Sequence, residues 1–92
     1  MALNLYVAKR YDVVYCPTGV CGWSDIGEFI KFLEDYRRDH DCDIWISEDE
    51  ADLEIDFDTL DELKKDEKWG ALAKFISDYG DKRNDTARLA IF

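Results

Sequence analysis

Between Trp23 and Trp69 the chain has a single glycine, Gly27, and in all 92 residues it has one histidine, one proline and one methionine. Each scarcity closes off a class of chemistry. A calcium-binding EF-hand loop needs a glycine directly after its acidic start, and none stands among the central acids. One histidine, His40, leaves no H-E-x-x-H zinc helix. No nucleophile elbow or glycine-rich phosphate loop occurs either, so a non-enzyme is expected, with no catalytic residue and no cofactor. Abundant carboxylates can always be paired on paper, and their number alone does not argue a glycosidase.

No run approaches the roughly 20 apolar residues that a membrane span requires, and Met1 to Ala8 lacks the basic end and long apolar stretch of a signal peptide. The expected location is the cytoplasm, or the host cytoplasm for a phage-encoded chain. Cysteines are three, Cys16, Cys21 and Cys42, an odd number that argues against a disulfide framework. With His40 they match no common zinc spacing, being C-x4-C and H-x-C, and they read as small core side chains, with His40 exposed at a helix end. No metal site is expected.

Basic charge is missing from one segment above all. From Asp39 to Glu67 there are 14 acidic residues against Lys64 and Lys65, a net of −12, whereas the rest of the chain holds 8 acidic and 10 basic side chains, a net of +2. The whole carries −10. Phosphate backbones and anionic membranes are repelled by such a segment, so direct nucleic-acid or membrane binding is not expected. A partner, if there is one, is a basic protein surface.

What is present suffices for one fold. Apolar residues are 47% of the chain and aromatics 14%, enough to oppose the entropy of ordering it, and 92 residues make a single domain over residues 1–92. Leu3, Leu5 and Val7 alternate with Asn4, Tyr6 and Ala8 as a strand. Lys9 and Arg10 mark a turn, Tyr11 to Cys16 reads as the returning strand, and Pro17, Gly19 and Gly22 end it in a loop. Ser24 or Asp25 then caps a helix whose stripe is Ile26, Phe29, Ile30 and Leu33, running to about Arg38. Asp43 to Ser47, with Ile44, Trp45 and Ile46, reads as a buried strand that places Trp45 in the core.

The clearest pattern follows. Leu53, Ile55 and Phe57 alternate with Asp52, Glu54, Asp56 and Asp58, a strand with one apolar and one acidic face. Glu48, Asp49 and Glu50 form the tip of its hairpin. Thr59 and Glu62 suit a capping box for a short acidic helix bearing Asp61, with Asp66 and Glu67 beyond. The apolar phase shifts between Leu60/Leu63 and Leu72/Ile76, which predicts a break near Trp69 and Gly70, a further helix ending at Gly80, and a closing strand at Leu89 to Phe92. The order is ββαββααβ, an α+β domain with a mostly antiparallel sheet and helices on one face. Trp23 and Trp69 are the better placed of the tryptophans to anchor an interface, although core packing is the first expectation for each.

Side chains on one strand face recur about every 6.6 Å, and phosphates advance about 3.4 Å along the DNA axis per strand, so the two ladders are of similar order. Glu48, Asp49, Glu50, Asp52, Glu54, Asp56, Asp58, Asp61, Glu62, Asp66 and Glu67 are therefore the candidate partner-binding residues, imitating a run of phosphates. Like charges on one face repel, a cost that favours a use for them over mere solvation. In size and charge the chain is similar to small acidic inhibitors by which phages and other mobile elements block CRISPR or restriction machinery, an analogy that implies a stoichiometric DNA-mimic inhibitor. An antitoxin or immunity protein plugging a toxin nuclease is the alternative. An accessory domain whose acids serve only solubility is the third. No heptad or unusual apolar patch defines an oligomeric state.

Overall fold

The computed structural model describes residues 3–10 and 14–92. Its elements run β1 (Asn4–Arg10), β2 (Val14–Cys21), α1 (Trp23–Asp39), β3 (Ile44–Ile46), β4 (Asp52–Asp56), α2 (Phe57–Leu63), α3 (Gly70–Tyr79) and β5 (Thr86–Ile91), which is the expected ββαββααβ order. The strands form one sheet, β2-β1-β5-β4-β3, antiparallel at every junction. Two hairpins, β1–β2 and β3–β4, are thus joined by the last strand, which lies between them.

Strand register sorts the side chains onto two faces. Val7 pairs with Leu89 and Leu89 with Leu53, while Ile55 pairs with both Ala87 and Ile44, giving a continuous apolar face. All of these join one core with Ile26, Phe29, Ile30 and Leu33 of α1, Leu60 and Leu63 of α2, and Leu72, Ala73 and Ile76 of α3. The three helices therefore cover the same face. The other face carries Tyr6, Ala90 and Asp52 in one paired row and Arg88, Glu54 and Trp45 in the next, and among the described residues no helix covers it.

Several boundaries differ from the reading of the sequence, each for a local reason. β1 extends through Arg10, where a turn was expected, and the expected strand start at Tyr11 to Val13 lies outside the described residues. β2 continues past Pro17 and Gly19 to Cys21 because it is an edge strand, where a missing N–H costs no ladder bond. Helix α1 begins at Trp23 under Gly22, whose φ of 84° is a conformation glycine adopts without strain, and no side chain caps it. Asp25 instead stands in the first turn, where the helix dipole favours an anion. Helix α3 does stop at Gly80, but in an extended conformation. Space is what demands glycine there: a Cβ would lie 2.9 Å from the Ile76 carbonyl oxygen and 3.2 Å from the Ala87 Cβ.

Trp45 is not core. It is 51% exposed on the uncovered face, since its neighbours Ile44 and Ile46 take the apolar side of a strand that has helices on one side only. Arg37 of α1 holds this short edge strand by donating to the Ile44 carbonyl at 3.3 Å. The cysteines also depart from expectation: Cys21 is exposed, and Cys16 and Cys42 are only partly buried. Trp69, by contrast, packs as first expected: it meets Phe29 and Phe32 in the region of the helix break, at ring-centroid distances of 5.1 and 6.2 Å, and joins helices rather than serving as an outward anchor. The Trp23 side chain lies outside the described part of the structure.

Truncating the central strand tests the one-sided core. Leu89→Ala is expected to cost about 2–5 kcal/mol in urea denaturation, because Leu89 is fully buried between both hairpins. Trp45→Ala should cost less than about 1 kcal/mol. Comparable losses would mean that both faces are covered.

Candidate functional site

At the hairpin tip, Glu48 and Glu50 point to solvent while Asp49 shapes the turn. Its carboxylate accepts from Ser47 Oγ at 2.7 Å and from the Ala51 amide at 3.1 Å, and these bonds hold it below the usual carboxylate range. Ser47 Oγ in turn accepts from the Asp52 amide, closing the turn. Glu50 takes a left-handed φ of 57°, with its amide donating to the Ser47 carbonyl.

The acidic ladder on β4 has three rungs, Asp52, Glu54 and Asp56, with Asp58 no longer among them. Asp52 pairs with Ala90, Glu54 with Arg88 and Asp56 with Thr86. Arg88 brings Nη2 to 3.9 Å from Asp52 Oδ1, and Thr86 Oγ1 donates to Glu54 at 3.4 Å. The ladder is therefore partly neutralised from β5. Asp56 ends it: its carboxylate accepts from the Thr59 amide at 3.3 Å and from the Thr59 hydroxyl, capping α2 three residues earlier than a Thr59 cap would. Asp58 consequently stands in the first turn of α2, where the macrodipole favours it, rather than on the strand face. Thr59 is buried instead of capping.

Along α2 and the turn after it, Asp61 pairs with Lys64 at 2.8 Å and Glu62 with Lys65 at 3.1 Å. Asp66 accepts from the Lys68 and Trp69 amides at 2.9 and 2.7 Å, so it organises the helix break. Lys68 reaches Glu28 of α1 at 2.6 Å, and that bond pushes its pKa up. Glu67 is exposed.

Of the eleven candidates, the fold gathers four, Asp56, Asp58, Asp61 and Glu62, at one end of the molecule. They are joined there by three acids that the sequence reading left out of the site: Asp41 and Asp43 from the segment before β3, and Asp85, the residue before β5. A hollow of about 640 Å³ is lined by Asp43, Asp56, Asp58, Asp61 and Asp85 with Lys64 and Lys82. A second, of about 430 Å³, shares Asp43, Asp56 and Asp58 with it and adds Asp41, Glu62, Tyr36 and Cys42. Asp41 and Asp43 were legible as acids of the same segment. Asp85 was not, since only the docking of β5 beside β4 brings it near Asp56.

The local field is negative enough to register on its neighbours. Burial first, then the charges of Asp56, Asp41 and Asp43, push the Cys42 thiol up. Burial and Glu62 do the same to the Tyr36 phenol. Among the described residues, no three His, Cys, Asp or Glu side chains converge in a geometry able to hold a metal ion. Cys16 and Cys21 lie on β2 at one sheet edge, while His40 and Cys42 lie beside β3 at the other. His40, exposed at the end of α1, stacks on Tyr36 at 4.0 Å.

No protein-family model matches the chain, and no curated protein or solved structure is significantly similar to it.

Two measurements probe the electrostatics. Iodoacetamide at pH 8 is expected to alkylate Cys21 before Cys16 and Cys42, which are partly buried and whose thiols are held protonated to higher pH; peptide mapping with time reads the order, and Cys42 reacting first would contradict the negative field. In a carboxyl-detected NMR titration, Asp49 is expected to titrate below the ordinary aspartate range. Because its folded-state pKa is depressed, its contribution is present above the unfolded-state pKa and is lost as pH falls through the folded one. Asp49→Ala should therefore lower the midpoint of thermal unfolding at pH 7, with a smaller loss at pH 2, whereas Glu48→Gln should leave it unchanged at both.

Proposed function

We propose that the chain is a stoichiometric binding protein whose acidic end occupies a basic, nucleic-acid-facing surface of another protein, such as a nuclease or a CRISPR or restriction complex, as a DNA mimic. The observation that carries this reading is the convergence of seven carboxylates, from the segment before β3, the end of β4, α2 and the residue before β5, around adjoining hollows whose lining, among the described residues, includes two lysines. Bringing like charges together works against the compact state, and surface ion pairs at Lys64 and Lys65 return little. A basic partner offsets that repulsion and gains fast, steered association. Such partners act in the cytoplasm, the host's if the chain is phage-encoded.

The shortened ladder bears on the shape of the partner. Three rungs and a compact acidic end fit a concave basic pocket at least as well as a long groove. This favours, as the second reading, an antitoxin or immunity protein that plugs the active site of a toxin nuclease. In either case the role is binding without catalysis.

The test replaces acids that cap nothing. A variant with Asp41→Asn, Asp58→Asn, Asp61→Asn, Glu62→Gln and Asp85→Asn keeps the caps of Asp49, Asp56 and Asp66. Proteins captured by the unaltered chain from its natural host at about 50 mM salt should be basic and nucleic-acid-binding. Capture should fall at least about tenfold by 200 mM salt, and about a hundredfold in the variant, as loss of several charge contacts requires. If the variant is more stable and captures the same proteins equally well, the acids serve solubility alone and the reading is wrong.

A further inference from the structure

On the uncovered face of the sheet, Trp45 stands opposite Glu54 in the β3–β4 register. Beside them the surface dips into a hollow of about 160 Å³ lined by Asp43, Ile44, Trp45, Glu54 and Thr86. That is below the roughly 300–1,000 Å³ of a small-molecule site and suits one side chain. Its walls are a half-exposed indole and two carboxylates. Glu54 accepts only a long bond, 3.4 Å, from Thr86 Oγ1, which leaves it acceptor capacity, and Asp43 is exposed.

A flat aromatic wall beside carboxylates matches one side chain better than any other. A guanidinium is planar, stacks on an indole, and presents its N–H groups in a fork that carboxylate oxygens accept. An ammonium group has the charge but not the stacking plane, and it holds its hydration more tightly. Arg88, opposite Glu54 on β5 and 3.9 Å from Asp52, reduces the attraction equally for either guest. Charge therefore admits a cation, and stacking selects arginine.

The geometry points to this hollow as the receptor for a single arginine side chain of a partner protein, stacked on Trp45 and bonded to Glu54 and Asp43. The occupant's origin rests on the reading of a basic protein partner. The slot itself is separate from the acids of α2.

The experiment is an NMR titration of the 15N-labelled chain with the amidated tripeptides Gly-Arg-Gly and Gly-Lys-Gly at matched ionic strength. The arginine peptide is expected to shift the Trp45 indole N–H and the Glu54 amide saturably, leaving the Trp69 indole unmoved, and to bind at least about threefold more tightly than the lysine peptide. Trp45→Ala and Glu54→Gln should each weaken it about threefold or more, and Trp45→Phe should restore part of the loss. Equal affinity for the two peptides, binding undiminished in Trp45→Ala, or no saturable shift overturns the proposal. Since the probe is a free peptide, the slot can fail while capture through the α2 acids succeeds, and the converse outcome would keep the slot and discard the partner class.

Discussion

The structure depends on the seating of β5 between β1 and β4. A two-stranded hairpin is marginal in water by itself, and this chain contains two whose partners are contributed from its other end. β5 pairs with β1 at Leu5↔Ile91, Tyr6↔Ala90 and Val7↔Leu89, and with β4 along Asp52↔Ala90 to Asp56↔Thr86. Those pairings fix which face of each hairpin is apolar. Leu89 places Val7 and Leu53 under the helices, and Ala90 places Tyr6 and Asp52 on the uncovered side. A slip of one residue would exchange the two sets. The long separation of β1 and β5 in sequence makes this the costliest contact to form in loop entropy.

The same strand makes the acidic end. Asp85 precedes β5, and its carbonyl receives the Phe57 amide at 3.3 Å where β4 gives way to α2. Two groups of acids stand out. Asp49, Asp56 and Asp66 satisfy backbone N–H groups at a turn, a helix start and a helix break, uses that each stabilise the fold locally. Asp41, Asp43, Asp58, Asp61, Glu62 and Asp85 do not serve such ends, and they line the adjoining hollows. These carboxylates, which bond no backbone N–H among the described residues, gather where three chain segments meet.

How much of this was legible follows from what periodicity can and cannot report. The apolar alternation of Leu53 and Ile55 and the phase change after Leu63 gave β4 and the α2–α3 break, because burial imposes those periods directly. Phe57 and Asp58 continued the alternation by chance. Two possible helix starts overlapped, a simple Asp56 cap and the Thr59-x-x-Glu62 box, and tertiary packing that buries Thr59 selects the first. Trp45 was misplaced although the expected fold contained the answer: with helices on one side only, the middle residue of Ile44-Trp45-Ile46 must face away from them. Pro17 and Gly19 read as breakers because edge position, which tolerates them, is a property of the sheet and not of the segment. Asp85 belongs to the same class of information.

Because β4 supplies the core with Leu53 and Ile55 on one face and the ladder with Asp52, Glu54 and Asp56 on the other, its stability and its surface chemistry are coupled. Neutralising Asp56 removes a helix cap as well as a charge, and altering Asp52 disturbs the approach of Arg88. The α2 acids are free of this coupling, since Asp61 and Glu62 contribute only exposed ion pairs. Selection acting on binding has more latitude at α2 and before β3 than on β4. The aromatic and carboxylate pairing of Trp45 with Glu54 lies on the coupled strand pair, so it is held in a fixed register by the packing beneath it, as a selective contact requires. Long-range attraction can come from acids that move with little consequence. Discrimination needs the rigid sheet, and under the proposed binding role the two would be divided between the acidic end and the strands.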